Sequence, residues 1–288
     1  MKETADLEKE LGERIKASFL VGGGCVAESR KIVLESGRAI FVKLSGKALP
    51  PEMLAKEARG LYEIKKSGTV SVPQVLCVHE KFLVLEWVEP TRMPKNFWME
   101  FGRALARLHR FYGPSFGFYE DNFIGLTPQK NTPPLSYDSK KNNWCEFYFE
   151  NRLLEQFKLA EQHAYVTEEM KILFHRLETK LPKILSGSEE LPSLLHGDLW
   201  NGNFLCGEQG KAYVVDPAVY YGHREADLAM TKLFGGFDTE FYRAYEETYP
   251  LVEGAAYREN VYKLYHVLNH LNLFGMSYFA QAVSLMKY

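Results

Sequence analysis

The spacing of hydrophobic residues predicts a mixture of helices and strands in the first third of the chain. Leu7, Leu11 and Ile15 recur every four residues between charged positions, which predicts a helix over residues 3–17. Short runs of β-forming residues then flank a glycine cluster, and "ESGR" is typical of a turn between two further strands. The chain is therefore expected to begin with a helix and three strands.

The segment "PEMLAKEARGLYEIKKSG" predicts a second helix, which ends at Gly68. Four of its hydrophobic residues share one helical face: Leu54, Ala58, Leu61 and Ile64. The following "QVLCVHEKFLVLEWV" predicts two more strands. The first 88 residues thus predict a helix, three strands, a helix and two strands.

After Glu89-Pro90 the hydrophobic spacing becomes that of helices. Helices are predicted for "NFWMEFGRALARLHRFYG", which ends at Gly113, for "WCEFYFENRLLEQFKLAEQ", for "TEEMKILFHRLETKLPKIL" and for most of residues 234–288. The longest loop signal spans residues 126–143.

Together these elements predict an α+β, bilobal protein: a small β-rich N-terminal lobe and a large helical C-terminal lobe. We place the first lobe at residues 1–88, a linker at 89–93 and the second lobe at 94–288. Two lobes joined by one short linker favour a nucleotide bound in the cleft between them.

Composition excludes several classes of partner. Of 288 residues, 46% are hydrophobic and 25% are charged, and the net charge of −2 lacks the basic excess that a nucleic acid or a membrane surface would require. No run reaches about 18 apolar residues, so we expect no membrane span. The spacing of Cys25, Cys77, Cys145 and Cys206 fits neither a zinc site nor a disulfide framework, which predicts free thiols and a cytoplasmic location.

The glycine cluster "VGGGCVA" matches G-x-G-x-x-A through Gly22, Gly24 and Ala27. A dinucleotide-binding turn would open a helix, whereas these glycines precede a predicted strand hairpin. Two interpretations remain. The glycines form a hairpin whose backbone amides approach the phosphates of a nucleotide, or they form a plain turn.

Lys43 lies in the apolar run "AIFVKL", where an unpaired charge would be costly. Glu57, 14 residues later in the predicted helix, is a candidate partner that would direct the ammonium group toward nucleotide phosphates. A solvated lysine and a solvated glutamate are the alternative.

The stretch "LLHGDLWNGNFL" interrupts an apolar run with polar residues that suit phosphoryl transfer. Asp198 and Asn203 have the five-residue spacing of the kinase catalytic loop, and Asp216 follows at the end of "YVVDP". A carboxylate can accept the proton of a substrate hydroxyl, and carboxylate and amide oxygens bind Mg²⁺. We assign Asp198 as the base, Asn203 and Asp216 as metal ligands, and His196 as a residue that orients the loop.

These motifs resemble the fructosamine kinase (ketosamine-3-kinase) family, which belongs to the aminoglycoside-phosphotransferase branch of the protein-kinase-like fold. The resemblance rests on "LLHGDLWNGN", "DPAVYYGHREADLAM" and "LFGGF", supported by "GGGC", "FVK", "DNFIG" and "LNHLNLFG", and extends over nearly the whole chain. "HGDLWNGN" is the most specific of these. Asp-Pro replaces the Asp-Phe-Gly of protein kinases and no Ala-Pro-Glu follows, so an activation segment is not expected.

The resemblance implies a set of nucleotide-binding residues. The phosphate loop would consist of Gly22, Gly23, Gly24 and Cys25, with Lys43 and Glu57 above the phosphates. The backbone of the segment that contains Glu86 and Val88 would hold adenine.

The resemblance also implies the reaction, an ATP- and Mg²⁺-dependent phosphorylation of O3 of a ketosamine. The acceptor would be a small molecule or a glycated protein lysine. The unstable 3-phosphate would break down and release the amine, which amounts to deglycation. Trp200 would pack against the sugar and the amine, and Asp227 would be structural.

Two further hypotheses concern Cys25 and a polar helix face. A thiol among backbone amides is open to oxidation, so Cys25 is a redox candidate and the protein a monomer or a redox-linked homodimer. A polar and aromatic stripe either lines the acceptor pocket, with His270 as a substrate residue, or is a solvated face; it consists of Tyr262, Tyr265, His266, Asn269, His270 and Asn272.

Two alternative functions stay open. A kinase of the same fold could act on choline or an aminoglycoside. A nucleotide-binding pseudokinase is disfavoured because no expected catalytic residue is replaced: Lys43, Glu57, Asp198, Asn203 and Asp216 are all present. The sugar, the carrier of the amine and the oligomeric state are not determined by the sequence.

Overall fold

A helix, three strands, a helix and two strands follow one another in the N-terminal part, in the predicted order. The computed structural model describes residues 2–22, 27–46, 49–50, 52–131 and 143–288. The elements are α1 (Lys2–Leu11), β1 (Ile15–Val21), β2 (Glu28–Leu34), β3 (Ala39–Leu44), α2 (Met53–Ser67), β4 (Val75–His79) and β5 (Phe82–Glu86).

The five strands form one antiparallel sheet in the order β1-β2-β3-β5-β4, and each face of the sheet is covered by a helix. Because side chains alternate along a strand, Phe82 of β5 packs with Leu7 of α1 on one face. Leu83 packs with Leu54 and Leu61 of α2 on the other face. Lys43 of β3 is paired with Leu83 across the ladder and so projects toward the α2 side.

The predicted end of the first helix at residue 17 is wrong. The helix ends at Leu11, since Gly12 has a positive φ of 66°. Ile15 begins the ladder with β2, and its backbone N–H donates to Oε1 of Glu8 at 2.8 Å. A recurrence of only three hydrophobic residues could not distinguish a continuing helix from a strand that starts in phase with it.

The C-terminal part is mostly helical, with short strand pairs between the helices. Its helices are α3 (Phe97–Leu108), α4 (Trp144–Tyr148), α5 (Glu155–Gln162), α6 (Glu168–Leu185), α7 (Glu225–Leu233), α8 (Thr239–Thr248), α9 (Ala255–Phe274) and α10 (Phe279–Leu285). Its strands are β6 (Asn122–Ile124), β7 (Thr127–Gln129), β8 (Ser193–Leu195), β9 (Phe204–Cys206), β10 (Ala212–Val214) and β11 (Tyr220–Gly222). The strands pair as β6–β7, β8–β11 and β9–β10.

Two boundaries differ from the sequence-based prediction. Helix α3 ends at Leu108 rather than Gly113, because the backbone of Phe111 and Gly113 bonds to residues 192–194 instead of continuing the helix. Strand β7 lies inside the predicted loop of residues 126–143, where Gln129 is buried and donates to the carbonyl of Ala218 at 3.0 Å. Both cases depend on partners that are distant in sequence.

The predicted linker lies against the β9–β10 pair. The backbone N–H of Thr91 donates to the carbonyl of Cys206 at 2.8 Å, and its hydroxyl donates to the carbonyl of Gly207 at 2.6 Å. The lobe boundaries at residues 88 and 94 remain a prediction. None of the described helices is long and apolar enough to cross a bilayer.

Candidate active site

A cleft between the two parts of the molecule brings together most of the residues that the sequence singled out. Its lining includes seven of them: Lys43, Glu57, Asp198, Trp200, Asn203, Asp216 and His270. Strand β3 and helix α2 supply one wall, and the loops after β8 and β10 together with the end of α9 supply the other.

Lys43 forms two ion pairs inside the cleft. Its Nζ lies 2.7 Å from Oε1 of Glu57 and also donates to Oδ1 of Asp216. Burial alone would lower the pKa of Lys43, but the charges of Asp216 and Glu57 outweigh it and raise the pKa above its ordinary value. Lys43 is therefore fixed as a cation, and the solvated-lysine alternative is wrong.

The side chain of Glu57 is 11% exposed and belongs to the same cluster. Burial raises the pKa of its carboxyl group, and the opposing attraction of Lys43 is smaller. The hydrogen bond to Lys43 nevertheless fixes the direction of the ammonium group, which is the arrangement that the spacing of these two residues predicts.

The loop of residues 196–203 follows the buried strand β8 and presents Asp198 to the cleft. The side-chain Nδ2 of Asn203 donates to the backbone carbonyl of Asp198 at 2.7 Å and to its Oδ2 at 3.1 Å. Burial raises the pKa of Asp198 to about 7, assisted by the charge of Asp216 and opposed by the hydrogen bond from Asn203. A carboxyl group with this pKa can take up a proton near neutral pH.

The buried Asp227 holds the loop in place through hydrogen bonds to its backbone. Asp227 of α7 accepts hydrogen bonds from the backbone N–H of His196 at 2.7 Å and of Gly197 at 2.8 Å. Its Oδ2 lies 3.2 Å from Nε2 of His109, whose Nδ1 is bonded to the hydroxyl of Tyr245 at 2.7 Å. Asp227 thus has the structural position expected from the sequence.

His196 acts within the loop itself. Its Nε2 bonds to the carbonyl of Val215 at 3.0 Å, and its Nδ1 accepts from the N–H of Asp198 at 3.3 Å. Burial lowers the pKa of His196, which keeps the ring neutral, so one ring nitrogen can donate while the other accepts. These bonds tie the loop to the strand that precedes Asp216.

The side-chain oxygen atoms of Asn203 and Asp216 that face the cleft are suitable ligands for a magnesium ion. Asn203 uses its amide nitrogen on Asp198, which leaves the amide oxygen for the cleft, and Lys43 engages only Oδ1 of Asp216. Carboxylate and amide oxygens are hard ligands of the kind that Mg²⁺ prefers. Asp216 has a φ of 55°, a left-handed backbone conformation that is unusual for a residue other than glycine and is often found at functional sites.

The opposite end of the cleft is aromatic. The rings of Trp200 and Phe234 meet edge to face with centroids 5.8 Å apart, and Phe234 lies 4.9 Å from the ring of His270. Nδ1 of His270 bonds to the carbonyl of His266 at 2.8 Å, while burial lowers the pKa of His270. A neutral ring held in this way offers Nε2 as an acceptor.

A model of the fructosamine kinase family matches residues 1–288. The chain belongs to the fructosamine kinase family. The ketosamine-3-kinase of Mus musculus is 33% identical over 312 residues, which cover 98% of this chain and 97% of the relative.

Solved structures agree with this assignment. The crystal structure of a Thermobifida fusca protein, provisionally named a fructosamine-3-kinase, has a TM-score of 0.87 at 32% identity and covers 99% of this chain and 96% of that one. A macrolide 2′-phosphotransferase of type I has a TM-score of 0.64 at 14% identity, with coverage of 100% and 96%, and shares the fold. The predicted bilobal, protein-kinase-like fold is thus confirmed.

The structure of this fructosamine kinase family member does not place every residue that the resemblance implied in the cleft lining. Gly22, Glu86 and Val88 are described but are not part of the cleft lining; Val88 lies against Gly207. Gly23, Gly24 and Cys25 lie outside the described residues. The phosphate-loop, adenine and redox assignments therefore stay predictions.

Helix α9 resolves the two interpretations of its polar stripe. The solvated-face interpretation is wrong, because Tyr262, Tyr265 and Asn272 are buried. Tyr262 accepts a hydrogen bond from Trp144 at 3.0 Å, Tyr265 donates to Oε1 of Gln129 at 2.7 Å, and Asn272 donates to the carbonyl of Gln156 at 2.9 Å. Of the six residues of the stripe, Asn269 and His270 line the cleft.

Several cleft residues were not predicted as site residues. They are Ala27, Ser29, Met53, Lys56, Asn122, Phe123, Gly125, Pro217, Ala218, Leu273 and Phe274. The motif "DNFIG" was the available signal for Asn122 and Phe123. Lys56 carried none, since it is one of several lysines in an amphipathic helix.

Proposed function

We propose that this protein transfers the γ-phosphoryl group of ATP to O3 of a ketosamine, with Mg²⁺ as the metal. The observation that carries the proposal is the convergence of Asp198, Asn203, Asp216 and Lys43 in one cleft with an aromatic end. Membership of the fructosamine kinase family supports it, as does the mouse relative named ketosamine-3-kinase.

Asp198 is the group that receives the substrate proton. As the hydroxyl O3 forms its bond to the γ-phosphorus, its proton passes to a carboxylate oxygen of Asp198 and the bond to the β–γ bridging oxygen breaks, which yields ADP. Asn203 holds Oδ2 of Asp198 at 3.1 Å and so fixes the orientation of the carboxylate. The pKa of about 7 matches this use, because the group can both accept and later release a proton near neutral pH.

The nucleotide side of the cleft is organised by Lys43. Glu57 and Asp216 hold its ammonium group so that a donor remains for nucleotide phosphates. Asn203 and Asp216 would hold Mg²⁺, which neutralises charge on the phosphate oxygens when bound. Gly22, Gly23, Gly24 and Cys25 remain our proposed phosphate loop, and the backbone at Glu86 and Val88 our proposed adenine contact.

The aromatic end would bind the acceptor. The face of Trp200 suits the C–H surface of a sugar, and a neighbouring cationic amine would gain roughly 0.5–2 kcal/mol from cation–π attraction. Nε2 of His270 can accept a hydrogen bond from a sugar hydroxyl or from the amine. The acceptor is therefore a free or protein-bound ketosamine, whose 3-phosphate then breaks down and releases the amine.

The deciding experiment measures ADP release with ATP and Mg²⁺ over four acceptors: a ribulose–lysine adduct, a fructose–lysine adduct, choline and kanamycin. We expect turnover on the ketosamines and a fall in kcat of about 10²–10⁴-fold in Asp198→Asn, the range typical of a general base. The matched control is Asp238→Asn. Asp238 caps α8 and is not part of the cleft lining, and asparagine caps helices equally well.

Other outcomes would change the assignment in defined ways. Turnover on choline or kanamycin alone would leave the fold intact and contradict the substrate. Nucleotide binding without turnover on any acceptor would favour a pseudokinase. Equal activity of Asp198→Asn and Asp238→Asn would contradict the role of Asp198.

A further inference from the structure

Helix α2 has a polar face that the sheet does not use. Its apolar residues Leu54, Ala58 and Leu61 pack on the sheet, and Glu57 points at Lys43. A third face consists of Lys56, Arg59, Gly60 and Glu63, at the spacing of neighbours on one side of a helix. We call these four residues the interlobe stripe, because each one contacts the C-terminal part.

Two charged residues of the interlobe stripe bind the segment before β6. Arg59 pairs with Glu120 through two nitrogens, with Nη2 at 2.9 Å from Oε2. Nζ of Lys56 donates to the carbonyl of Asp121 at 2.6 Å. A two-point contact between a guanidinium and a carboxylate fixes direction as well as distance.

The other two residues of the interlobe stripe contact the chain after Asp216. Glu63 is buried and accepts a hydrogen bond from the hydroxyl of Tyr221 at 2.9 Å. Gly60 lies so close that a Cβ there would be 3.2 Å from Cγ of Pro217 and 3.3 Å from Cγ2 of Val219. The helix that carries Glu57 is thus in direct contact with the segment that carries Asp216.

From these contacts we propose that the interlobe stripe is a positioning element, which holds Glu57, and through it Lys43, in place for nucleotide phosphates before any ligand binds. Glu57 lies within one helical turn of Lys56 and Arg59, so a shift of α2 would move its carboxylate with it. No activating partner or modification is then needed to form the Lys43–Glu57 pair. The effect expected on the KM for ATP rests on the proposed function, whereas the effect expected on the mobility of α2 does not.

The positional role differs from a contribution to stability. Arg59 is 37% exposed, and an ion pair at that exposure contributes little to the free energy of unfolding. The ion pair matters more for nucleotide binding than for stability, because a small displacement of α2 changes the distance between Lys43 and the phosphates.

The test compares Arg59→Glu with the charge swap Arg59→Glu/Glu120→Arg. We expect amide exchange in α2 of the ligand-free protein, and the KM for ATP, to rise about fivefold to tenfold in Arg59→Glu. The KM for the acceptor should stay within about twofold, since the aromatic end is untouched. The swap should bring both quantities back toward the wild-type values.

The matched control is Arg103→Glu. Arg103 is also 37% exposed and pairs with Glu100 on α3, away from the cleft. Wild-type exchange in α2 together with an unchanged KM for ATP in Arg59→Glu would overturn the proposal, as would a folded swap that restores neither. Should Arg59→Glu fold poorly, Tyr221→Phe removes only the hydroxyl that binds Glu63 and gives the same two readouts without a charge change.

The two proposals can fail separately. Amide exchange in α2 needs no substrate, so it tests the interlobe stripe even in a protein that phosphorylates none of the ketosamines. Conversely, ketosamine turnover with unaltered α2 exchange in the variants would support the proposed function and contradict the stripe.

Discussion

The carboxyl group of Asp198 shows how far single residues could be interpreted from sequence alone. Its spacing from Asn203, and the position of Asp216 at the end of an apolar run, predicted three residues that the structure places in one cleft. Local spacing sufficed because one loop carries the first two. His109 could not be predicted, because its partner Asp227 is 118 residues away and a lone histidine in an amphipathic helix carries no signal.

His266 links one buried residue to the pH dependence of stability. It is buried in α9, and its Nδ1 has no hydrogen-bond partner among the described residues. Burial, assisted by the neighbouring His270, lowers the pKa of His266 to about 3. An unfolded histidine titrates near 6.5, so below that pH the unfolded chain binds a proton that the folded chain does not. The full contribution of His266 is present above pH 6.5 and is lost as the pH falls.

We therefore expect the contribution of His266 to the free energy of unfolding to fall by roughly 2 kcal/mol between pH 8 and pH 5. His196 and His223, whose pKa values burial also lowers, add to the same slope. Asp198, whose pKa burial raises, acts in the opposite direction in every variant, so urea unfolding of His266→Gln is compared with that of the wild type. The difference in free energy of unfolding between the wild type and His266→Gln should fall by that amount between pH 8 and pH 5. The control His175→Gln replaces a histidine that is 79% exposed, and an equal slope in both variants would contradict the argument.

Two elements of the site touch through their backbones. The loop of residues 196–203 accepts from the N–H of Ala218 at the carbonyl of His196 and from the N–H of Val215 at the carbonyl of Asn203, both at 2.9 Å. At Gly197, φ is 84° and a Cβ would lie 2.0 Å from the carbonyl oxygen of Ala218. Glycine is thus required there by the close approach as well as by the dihedral angle.

Comparison of Gly197 with Gly187 separates the effect of the positive φ from the effect of the close backbone contact. Gly187 also has a positive φ, of 77°, but nothing lies within 4 Å of its Cβ position. We expect Gly187→Ala to cost about 1 kcal/mol of stability and Gly197→Ala at least ~2 kcal/mol more, because only the latter must displace backbone. Thermal or urea unfolding measures both. Equal costs would show that the loop can move away from Ala218.

The order of elements was largely predictable, whereas some of their ends were not. Leu54, Ala58 and Leu61 specify α2 because one face of that helix covers the sheet. Hydrophobic spacing does not record the backbone turn at Gly12 that ends α1. Nor does it record the bond from Gln129 of β7 to the distant Ala218. The six-residue π-helical segment Phe149–Leu154 between α4 and α5 could not be predicted either, because its buried Arg152 bonds to Asn131, which is distant in sequence.

At the scale of the whole molecule, the proposed nucleotide contacts both parts. Lys43 and Glu57 come from the N-terminal part, and Asn203 and Asp216 come from the C-terminal part. A ligand that binds only this assembled cleft stabilises the folded state by mass action. A metal ion would be bound both by protein ligands and by the phosphates, so its binding adds to the same stabilisation of the folded state.

Thermal unfolding with a non-hydrolysable ATP analogue tests this linkage. At 100 times the dissociation constant, the analogue with Mg²⁺ should add about 2.7 kcal/mol and raise Tm accordingly. EDTA should reduce the shift, and in Asn203→Ala, which keeps only Asp216 of the two proposed ligands, the shift should depend less on Mg²⁺. Asn151→Ala is a control for loss of an amide that does not line the cleft. A full shift in EDTA would contradict the metal assignment.

The interlobe stripe is one of several contacts between the two parts, which also include the ion pair of Lys43 with Asp216 and the backbone hydrogen bond from Val214 to Ser71. Contacts at several separate points restrict the rotation of one body against another more than a single hinge does. We therefore expect an incoming nucleotide to meet walls that already have their working separation, so that little of its binding free energy is used for closing the cleft.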